Sequence, residues 1–162
     1  MPADWVTAAR KRVRVIDAFE ARDTEAWAGL RARLWPDAGA DDLNRECRAF
    51  AAGEDVPSIG AVFVARDGHA GVIGFLELAL RPFSDGCESM PVPHIEGWYV
   101  VPEAREQGIG RALMRAAEDW ARARGFTELA SDAEVGNVTS LLAHARCGFA
   151  EVERLVKFRK PL

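Results

Sequence analysis

The stretch that decides the fold is Glu96–Arg111, which reads EGWYVVPEAREQGIGR. Its first residues alternate as in a β-strand, Pro102 ends that strand, and Gly108 and Gly110 open a helix. Glycines let the backbone approach a ligand closely, and a helix N-terminus offers unpaired N–H groups and partial positive charge. Two arginines within the stretch add formal positive charge. The stretch therefore predicts a site for a pyrophosphate group.

The bulk composition is that of an ordinary globular protein. The chain has 162 residues, of which 49% are hydrophobic and 28% charged, and this size favours a single domain spanning residues 1–162. The net charge of −4 argues against nucleic acid as a partner and allows a cationic one. Met1–Arg12 has no clear period, so we expect a loosely ordered lead-in there.

Cysteines and hydropathy favour a reduced, cytoplasmic protein without a membrane anchor. Cys47, Cys87 and Cys147 are odd in number and widely spaced, which predicts neither a disulfide framework nor a zinc site. The apolar run Val13–Phe19 is interrupted by charged residues and is no signal-peptide core. No apolar run approaches the length that crosses a membrane.

Periodicity predicts a mixed α+β domain in the order β-α-α-β-β-β-α-β-α-β. The predicted strands are Val13–Asp17, Ile59–Arg66, Val72–Leu80, His94–Val101 and Thr127–Asp132, with one or two closing strands in Glu151–Arg159. The predicted helices run from Asp23 or Thr24 to Trp35, from Asp41 or Asp42 to Gly53, from Gly108 to Gly125 and from Asn137 to Cys147. Trp27 and Trp120 fall at core spacing and are interpreted as packing residues.

This order of elements, with Arg105-Glu106-Gln107-Gly108-Ile109-Gly110 at the exit of the fourth strand, resembles the GCN5-related N-acetyltransferases (GNAT). Each fixed position of that family's Q/R-x-x-G-x-G/A signature is matched. The resemblance implies a mixed, mostly antiparallel sheet that is splayed between strands 4 and 5 and flanked by helices. A purely structural turn is the alternative interpretation of the glycines.

The resemblance also implies acetyl-coenzyme A as the co-substrate. The backbone of the fourth strand would pair with the pantetheine arm, the loop amides would hold the pyrophosphate, and Asn137 would lie near the thioester. These roles suit the chemistry, since pantetheine is an amide chain and a helix N-terminus favours an anion. The implied cofactor-binding residues are Trp98, Tyr99, Val100, Arg105, Glu106, Gln107, Gly108, Ile109, Gly110, Arg111 and Asn137.

A closer resemblance is to the aminoglycoside 6′-N-acetyltransferases. Its matches, in chain order, are Arg33-Leu34-Trp35-Pro36, Asp85-Gly86-Cys87-Glu88-Ser89, Ile95-Glu96-Gly97, Ala130-Ser131-Asp132-Ala133, and Gly148-Phe149 followed by Glu151 and Glu153. It implies an aminoglycoside as the cationic substrate and a homodimer as the assembly. The implied substrate-binding residues are Trp35, Phe83, Glu88, Glu96, Asp132 and Glu153. Glu153 itself alternates with apolar residues, which is typical of an exposed strand face, so only the resemblance includes it.

Acetyl transfer to an amine gives two of these carboxylates a chemical role. A primary ammonium must lose a proton before it attacks a thioester. Glu96 lies on the strand beside the cofactor, and Asp132 ends the next strand, where the family's sheet opens. Our hypothesis is that Asp132 and Glu96 are catalytic: they bind the reacting amine and remove its proton, directly or through water. A backbone N–H of the fourth strand would stabilise the developing oxyanion.

Plainer roles stay open for the same residues. Glu96 could pair with an arginine in the sheet, Asp132 could only cap the following turn, and Glu88 could be a solvated loop charge. Trp35 and Phe83 fall outside regular periods, which leaves room for stacking on a substrate.

The histidines depart from the family pattern or have no predicted role. His144 stands where many superfamily members have a tyrosine that protonates the leaving thiolate, and it could do so or merely contact the cofactor. His69 and His94 have no metal-ligand partner at useful spacing, so no metal site is expected. Two other functions remain open: acetylation of another amine (a polyamine, an amino sugar or a peptide N-terminus) and non-catalytic binding of an acyl-coenzyme A.

Overall fold

The computed structural model describes residues 15–162. Five strands form one sheet: β1 (Val15–Ala18), β2 (Ala61–Arg66), β3 (Val72–Arg81), β4 (Val92–Val100) and β5 (Ala130–Ser131). Four helices flank it: α1 (Thr24–Leu34), α2 (Ala40–Ala51), α3 (Ile109–Ala123) and α4 (Val138–Arg146). The predicted α+β class and the order of the elements through α4 are confirmed.

The strands lie in their sequence order, β1-β2-β3-β4-β5. The first three pairings are antiparallel, and β4 with β5 is parallel. Only two residue pairs join β4 to β5, His94 with Ala130 and Ile95 with Ser131. Beyond Ile95 the two strands separate, so the sheet opens there as the resemblance implies.

A hydrophobic core lies on each face of the sheet. On one face, Ile109, Leu113 and Met114 of α3 pack against β2, β3 and β4. On the other face, Trp27 and Leu30 of α1 pack with α2 against the opposite sides of β2 and β3. Trp27 is fully buried, as its spacing predicts, whereas Trp120 is half-buried and stacks on Phe126.

The bounds of two strands differ from the sequence-based predictions. The first strand continues to Ala18 instead of ending at Asp17; its described part starts at Val15, and Val13, Arg14 and the lead-in Met1–Arg12 lie outside the described residues. The strand predicted at Thr127–Asp132 is paired over only two residues, because β5 diverges from β4.

The closing strands predicted in Glu151–Arg159 are wrong for the chain taken alone. Residues 149–162 contain no helix or strand, and residues 151–162 are all exposed. The alternating pattern there is typical of a strand, but a strand needs a partner, and this segment makes no ladder with the described sheet.

Candidate active site

The site is built around Glu96, where β4 begins to part from β5. Arg81, at the end of β3, donates from Nε and Nη2 to the two carboxylate oxygens of Glu96, both at 2.7 Å. A bidentate pair of this kind holds both side chains in one geometry. Glu96 is thus paired with an arginine, which is the plainer of its two predicted roles, and it also lies at the opening of the sheet.

The surroundings of Glu96 keep it ionised. Burial alone would raise its pKa, but the nearby His94 ring and the hydrogen bonds and charge of Arg81 outweigh burial and lower the pKa to about 2. A carboxylate with so low a pKa is a weak proton acceptor and a persistent negative charge.

Asp132 lies just after β5 and faces the same cluster. Its side chain is 72% exposed, and its Oδ2 is 3.6 Å from Arg81 Nη1 and 3.5 Å from His94 Nε2. The helix that follows is capped by Asn137, whose side-chain oxygen accepts a hydrogen bond from the Ser140 amide at 3.0 Å. The cap of α4 is therefore Asn137, and the Asp132 carboxylate stays accessible beside Glu96.

Sheet register brings these groups together. His94 pairs with Ala130 in the parallel β4–β5 ladder, so Glu96 and Asp132 each lie two residues beyond a directly paired residue. The two-residue period of a strand turns both toward the same face. On the other side of β4, the antiparallel ladder places Ala79 opposite His94, and Arg81 follows on that face.

Trp35 forms an aromatic wall next to this cluster. It is the residue after α1, and its indole covers Gly97 so closely that a Cβ there would lie 2.8 Å from Trp35 Cη2. The guanidinium of Arg31 lies 5.2 Å from the Trp35 ring centroid and 5.4 Å from that of Trp27. Trp35 therefore covers β4 at the residue next to Glu96, and Arg31 packs against its ring.

A buried polar network holds Arg31 in place. Glu77 is 1% exposed, accepts a hydrogen bond from Trp27 Nε1 at 2.9 Å and lies 3.1 Å from Arg31 Nε. Arg31 also donates to Glu46 at 2.9 Å. The carboxyl groups of Glu77 and Glu46 hold the Arg31 guanidinium beside the two indoles, so this network supports the aromatic wall.

The loop predicted to bind the cofactor, which we call the cradle, leads directly into the N-terminus of α3. Gly108 has a φ of +80° and caps α3, and Glu106 before it has a φ of +59°. A Cβ on Gly110 would lie 3.2 Å from Trp98 Cζ2, a tight contact, so the absence of a side chain lets the start of the helix lie close to that indole. The loop thus presents the amides of the first turn of α3 to an anion.

The residues of the cradle fit coenzyme A. β4 is unpaired on its β5 side beyond Ile95, where the backbone of Trp98, Tyr99 and Val100 can bind an extended amide chain. Trp98 Nε1 is buried without a hydrogen-bond partner. An unpaired buried donor costs free energy unless a ligand satisfies it.

The other predicted cofactor residues have structural contacts as well. Arg105 donates to the Val100 carbonyl at 2.9 Å and Arg111 donates to the Arg146 carbonyl at 3.0 Å. Gln107 donates to the Glu103 carbonyl at 3.1 Å, and Ile109 is buried in the core. These contacts shape the loop and join α3 to the end of α4.

His144 lies between the cradle and Asp132's strand. Its Nδ1 is 2.8 Å from the Ser140 carbonyl and must donate to it, so in the neutral ring Nε2 is the acceptor from Ser131 Oγ at 2.8 Å. The ring also meets Trp98 and Phe149 edge to face. Neutral His144 therefore has no proton to give at Nε2.

Three of the predicted substrate residues are not gathered into this cluster. Phe83 is 65% exposed and Glu88 is exposed in the β3–β4 loop. The carboxylate of Glu128 accepts hydrogen bonds from the amides of Glu88, at 3.0 Å, and Ser89, at 2.6 Å, which fastens this loop to the approach of β5. Glu153 lies in the exposed C-terminal segment.

Sequence and structure comparisons place this chain in a known family. Residues 19–149 match the family model described as Acetyltransferase (GNAT) family. The chain belongs to the GNAT family of acetyltransferases. The predicted fold, with its sheet splayed between strands 4 and 5, is confirmed by this match and by the opening beyond Ile95.

Curated relatives cover nearly the whole of this acetyltransferase. An aminoglycoside N(6′)-acetyltransferase type 1 of Klebsiella aerogenes is 46% identical over 91% of this chain and 97% of its own length. A protein of the same name from Stenotrophomonas maltophilia is 46% identical over 86% of this chain and 88% of its own.

Solved structures agree with the fold. AAC(6′)-Iy in complex with the bisubstrate analogue CoA-S-monomethyl-acetylneamine superposes with a TM-score of 0.82 at 30% identity, covering 93% of this chain and 99% of that one. The aminoglycoside antibiotic 6′-N-acetyltransferase AAC(6′)-Ih from Acinetobacter baumannii gives a TM-score of 0.80 at 32% identity, covering 93% of this chain and 99% of that one.

Sequence reasoning missed Arg81 and His94. Both lie within the cluster, yet neither belongs to a motif. The available signal was the two-residue period, which places His94 on the same strand face as Glu96.

Among residues 15–162, no group of His, Cys, Asp and Glu side chains is arranged to hold a metal ion, and no helix is long and apolar enough to cross a membrane.

Proposed function

We propose that this protein transfers the acetyl group of acetyl-coenzyme A to the 6′-amine of aminoglycosides and so confers resistance to them. The observation that carries the proposal is the pair of carboxylates, Glu96 and Asp132, at the opening of the sheet beside the cofactor cradle. The names of the 46%-identical relatives support the same substrate class. Negative charge at this position suits an acceptor that carries several ammonium groups.

The roles of the site residues follow from their environments. Acetyl-coenzyme A supplies an activated acetyl thioester that a neutral amine can attack. Asp132, the accessible carboxylate, receives the reacting ammonium and takes up or relays its proton to water. Glu96, with a pKa of about 2, stays charged and orients the amine, while Trp35 provides an apolar face for the sugar ring.

The cofactor contacts form a second part of the proposal. The amides of the α3 start would hold the pyrophosphate, with Arg105 and Arg111 contributing positive charge, and the free edge of β4 would bind the pantetheine arm. We also propose that Asn137 contacts the cofactor near the thioester. The proposed substrate contacts further include Glu88, Phe83 and Glu153, the last on the resemblance alone.

A substrate panel tests the function. Purified protein is given acetyl-coenzyme A with kanamycin, tobramycin, spermidine or a peptide amine, and thiol release is followed. We expect turnover with the aminoglycosides. Turnover of spermidine without any aminoglycoside would support acetylation of another amine. Tight coenzyme A binding without thiol release from any acceptor would support a non-catalytic binding module.

Asp132→Asn tests the assignment of the proton acceptor. The amide keeps the size of the side chain but loses its charge and basicity, so kcat/KM for kanamycin should fall by about 100-fold or more. Coenzyme A affinity, measured by calorimetry, should change less than about twofold because the cradle is untouched. Equal losses in both would assign Asp132 a structural role.

We also infer a cytoplasmic, homodimeric protein with a single N-acetyltransferase domain. The free thiols of Cys47, Cys87 and Cys147 support a reducing compartment. One continuous sheet through the described residues supports a single domain. The C-terminal segment, residues 151–162, supports the dimer, because Val152, Leu155, Val156 and Phe158 are between 53% and 93% exposed. A second copy of the chain would cover them by pairing with or exchanging this segment.

A further inference from the structure

A buried histidine stands behind both carboxylates of the proposed amine site. His94 is 1% exposed, with Nδ1 3.5 Å from Glu96 Oε1 and Nε2 3.5 Å from Asp132 Oδ2. Nδ1 has no hydrogen-bond partner. A buried polar atom without a partner calls for an explanation.

The chemistry of the ring decides what His94 can do there. A neutral imidazole carries one N–H and one lone pair, so it can donate to only one of two ionised carboxylates and turns its lone pair toward the other. An imidazolium donates to both. Two flanking carboxylates therefore favour the protonated ring, whereas burial opposes it.

The other groups of the cluster fix its charge. Arg81 from β3, Glu96 from β4 and Asp132 after β5 are the charged groups that face His94. Farther along the same face of β3, Glu77 is engaged with Arg31 of α1. One positive and two negative groups leave the cluster with one net negative charge when His94 is neutral, and with none when it is protonated.

We propose that His94 is a positioning residue that couples acceptor binding to proton release. This inference rests on the proposed function. The protonated ring holds Glu96 and Asp132 in the free enzyme and neutralises the site. When the ammonium group of the acceptor binds at Asp132, it replaces the positive charge of the His94 ring there. His94 then releases one ring proton to solvent, and its remaining N–H donates to one of the two carboxylates. Binding of a cationic acceptor is therefore stronger where His94 is neutral.

The coupling predicts a pH dependence that a structural histidine would not produce. Histidine changes charge between about pH 5 and 8. Affinity for a cationic acceptor should rise with pH over this range, because the competing proton is removed. His94→Phe keeps a buried ring and His94→Gln keeps a polar group, and neither titrates. His69→Gln, in the exposed β2–β3 turn, is the matched control.

The pH dependence of kanamycin affinity is measured by calorimetry. The protein is saturated with coenzyme A, which carries no acetyl group and therefore cannot react. As the pH rises from about 5.5 to 7.5, the Kd for kanamycin should fall in the wild type and in His69→Gln. The factor by which it falls should be about five to ten times larger than in the His94 variants. Comparing buffers of different ionisation enthalpy should show up to about one more proton released per kanamycin in the wild type. Equal pH profiles and proton counts in all four proteins would overturn the proposal.

A measurement on the wild type keeps the test independent of how the variants fold. The chain has three histidines, and the ring signals of His69 and His144 are assigned with single Gln substitutions, which leaves that of His94. Kanamycin should move the titration of the His94 ring to lower pH in NMR spectra, and an unchanged titration would refute the coupling. A wild type that acetylates no aminoglycoside would instead refute the proposed function, and this inference with it.

Discussion

At the scale of single residues, the site depends on how Glu96 is kept charged. Arg81 donates to both carboxylate oxygens, and His94 Nδ1 lies 3.5 Å from Oε1. The pKa of Glu96 is lowered to about 2, so its carboxylate is negatively charged at neutral pH. Asp132, three-quarters exposed, has the freedom that a proton acceptor needs.

The lowered pKa of Glu96 predicts a pH-dependent contribution to stability. A carboxyl whose folded-state pKa lies below its unfolded value stabilises the fold above the unfolded pKa, and this is lost as pH falls through the folded pKa. The free energy of unfolding of Glu96→Gln should thus be lower than that of the wild type by at most about 3 kcal/mol at pH 7. The difference should shrink between about pH 4.5 and 2. Urea denaturation across this range measures it, and a difference independent of pH would contradict the assignment.

At the scale of elements, the proposed active site is where the end of α1 meets β4. Trp35 lies over Gly97 because no side chain separates them, and the Arg31–Glu77 network fixes the indole from behind. The same strand carries Glu96 one residue earlier and, after Gly97, the backbone of Trp98–Val100, which has no strand partner on its β5 side. β4 therefore organises both the acceptor side and the cofactor side of the site.

Gly97→Ala tests the contact between α1 and β4. The new Cβ would lie 2.8 Å from Trp35 Cη2 and 3.1 Å from Phe75 Cε2, so the aromatic wall must shift. We expect the KM for kanamycin to rise about tenfold, equivalent to about 1.4 kcal/mol, with the KM for acetyl-coenzyme A nearly unchanged. Gly29→Ala is the control, because a Cβ at this position in α1 meets nothing within 4 Å. An unchanged KM for kanamycin would mean that Trp35 does not contact the acceptor.

At the scale of the whole molecule, the C-terminal segment is the feature left unexplained by a single chain. It begins beside the β3–β4 loop, where a Cβ on Gly86 would overlap Val152, and continues as exposed residues without a ladder. An exposed segment with apolar side chains and strand-like alternation is suited to a partner chain.

Removing or charging this segment tests the dimer. We expect the full chain to have the mass of two protomers in light scattering, and a chain ending at Ala150 to have the mass of one. In the full-length chain, Phe158→Glu should weaken the dimer, because it places a charge in the surface that the dimer would bury. Lys157→Glu, at the neighbouring position, is the control for a change of charge alone. A full chain that stays monomeric at micromolar concentration would contradict the proposal.

Local sequence predicted the glycine loop before α3 and the order of the elements through α4. The strand, Pro102, Gly108, Gly110 and the helix are neighbours in the chain, so their spacing alone dictates a loop that presents amides to an anion. The tertiary structure alone decided the amine site. Arg81 and His94 lie on two different strands and Asp132 follows a third, and only the register of the β3–β4 and β4–β5 ladders brings them around Glu96. Register depends on long-range pairing, which local periodicity does not encode. For the same reason, the alternation in Glu151–Arg159 predicts a strand but not the chain with which it pairs.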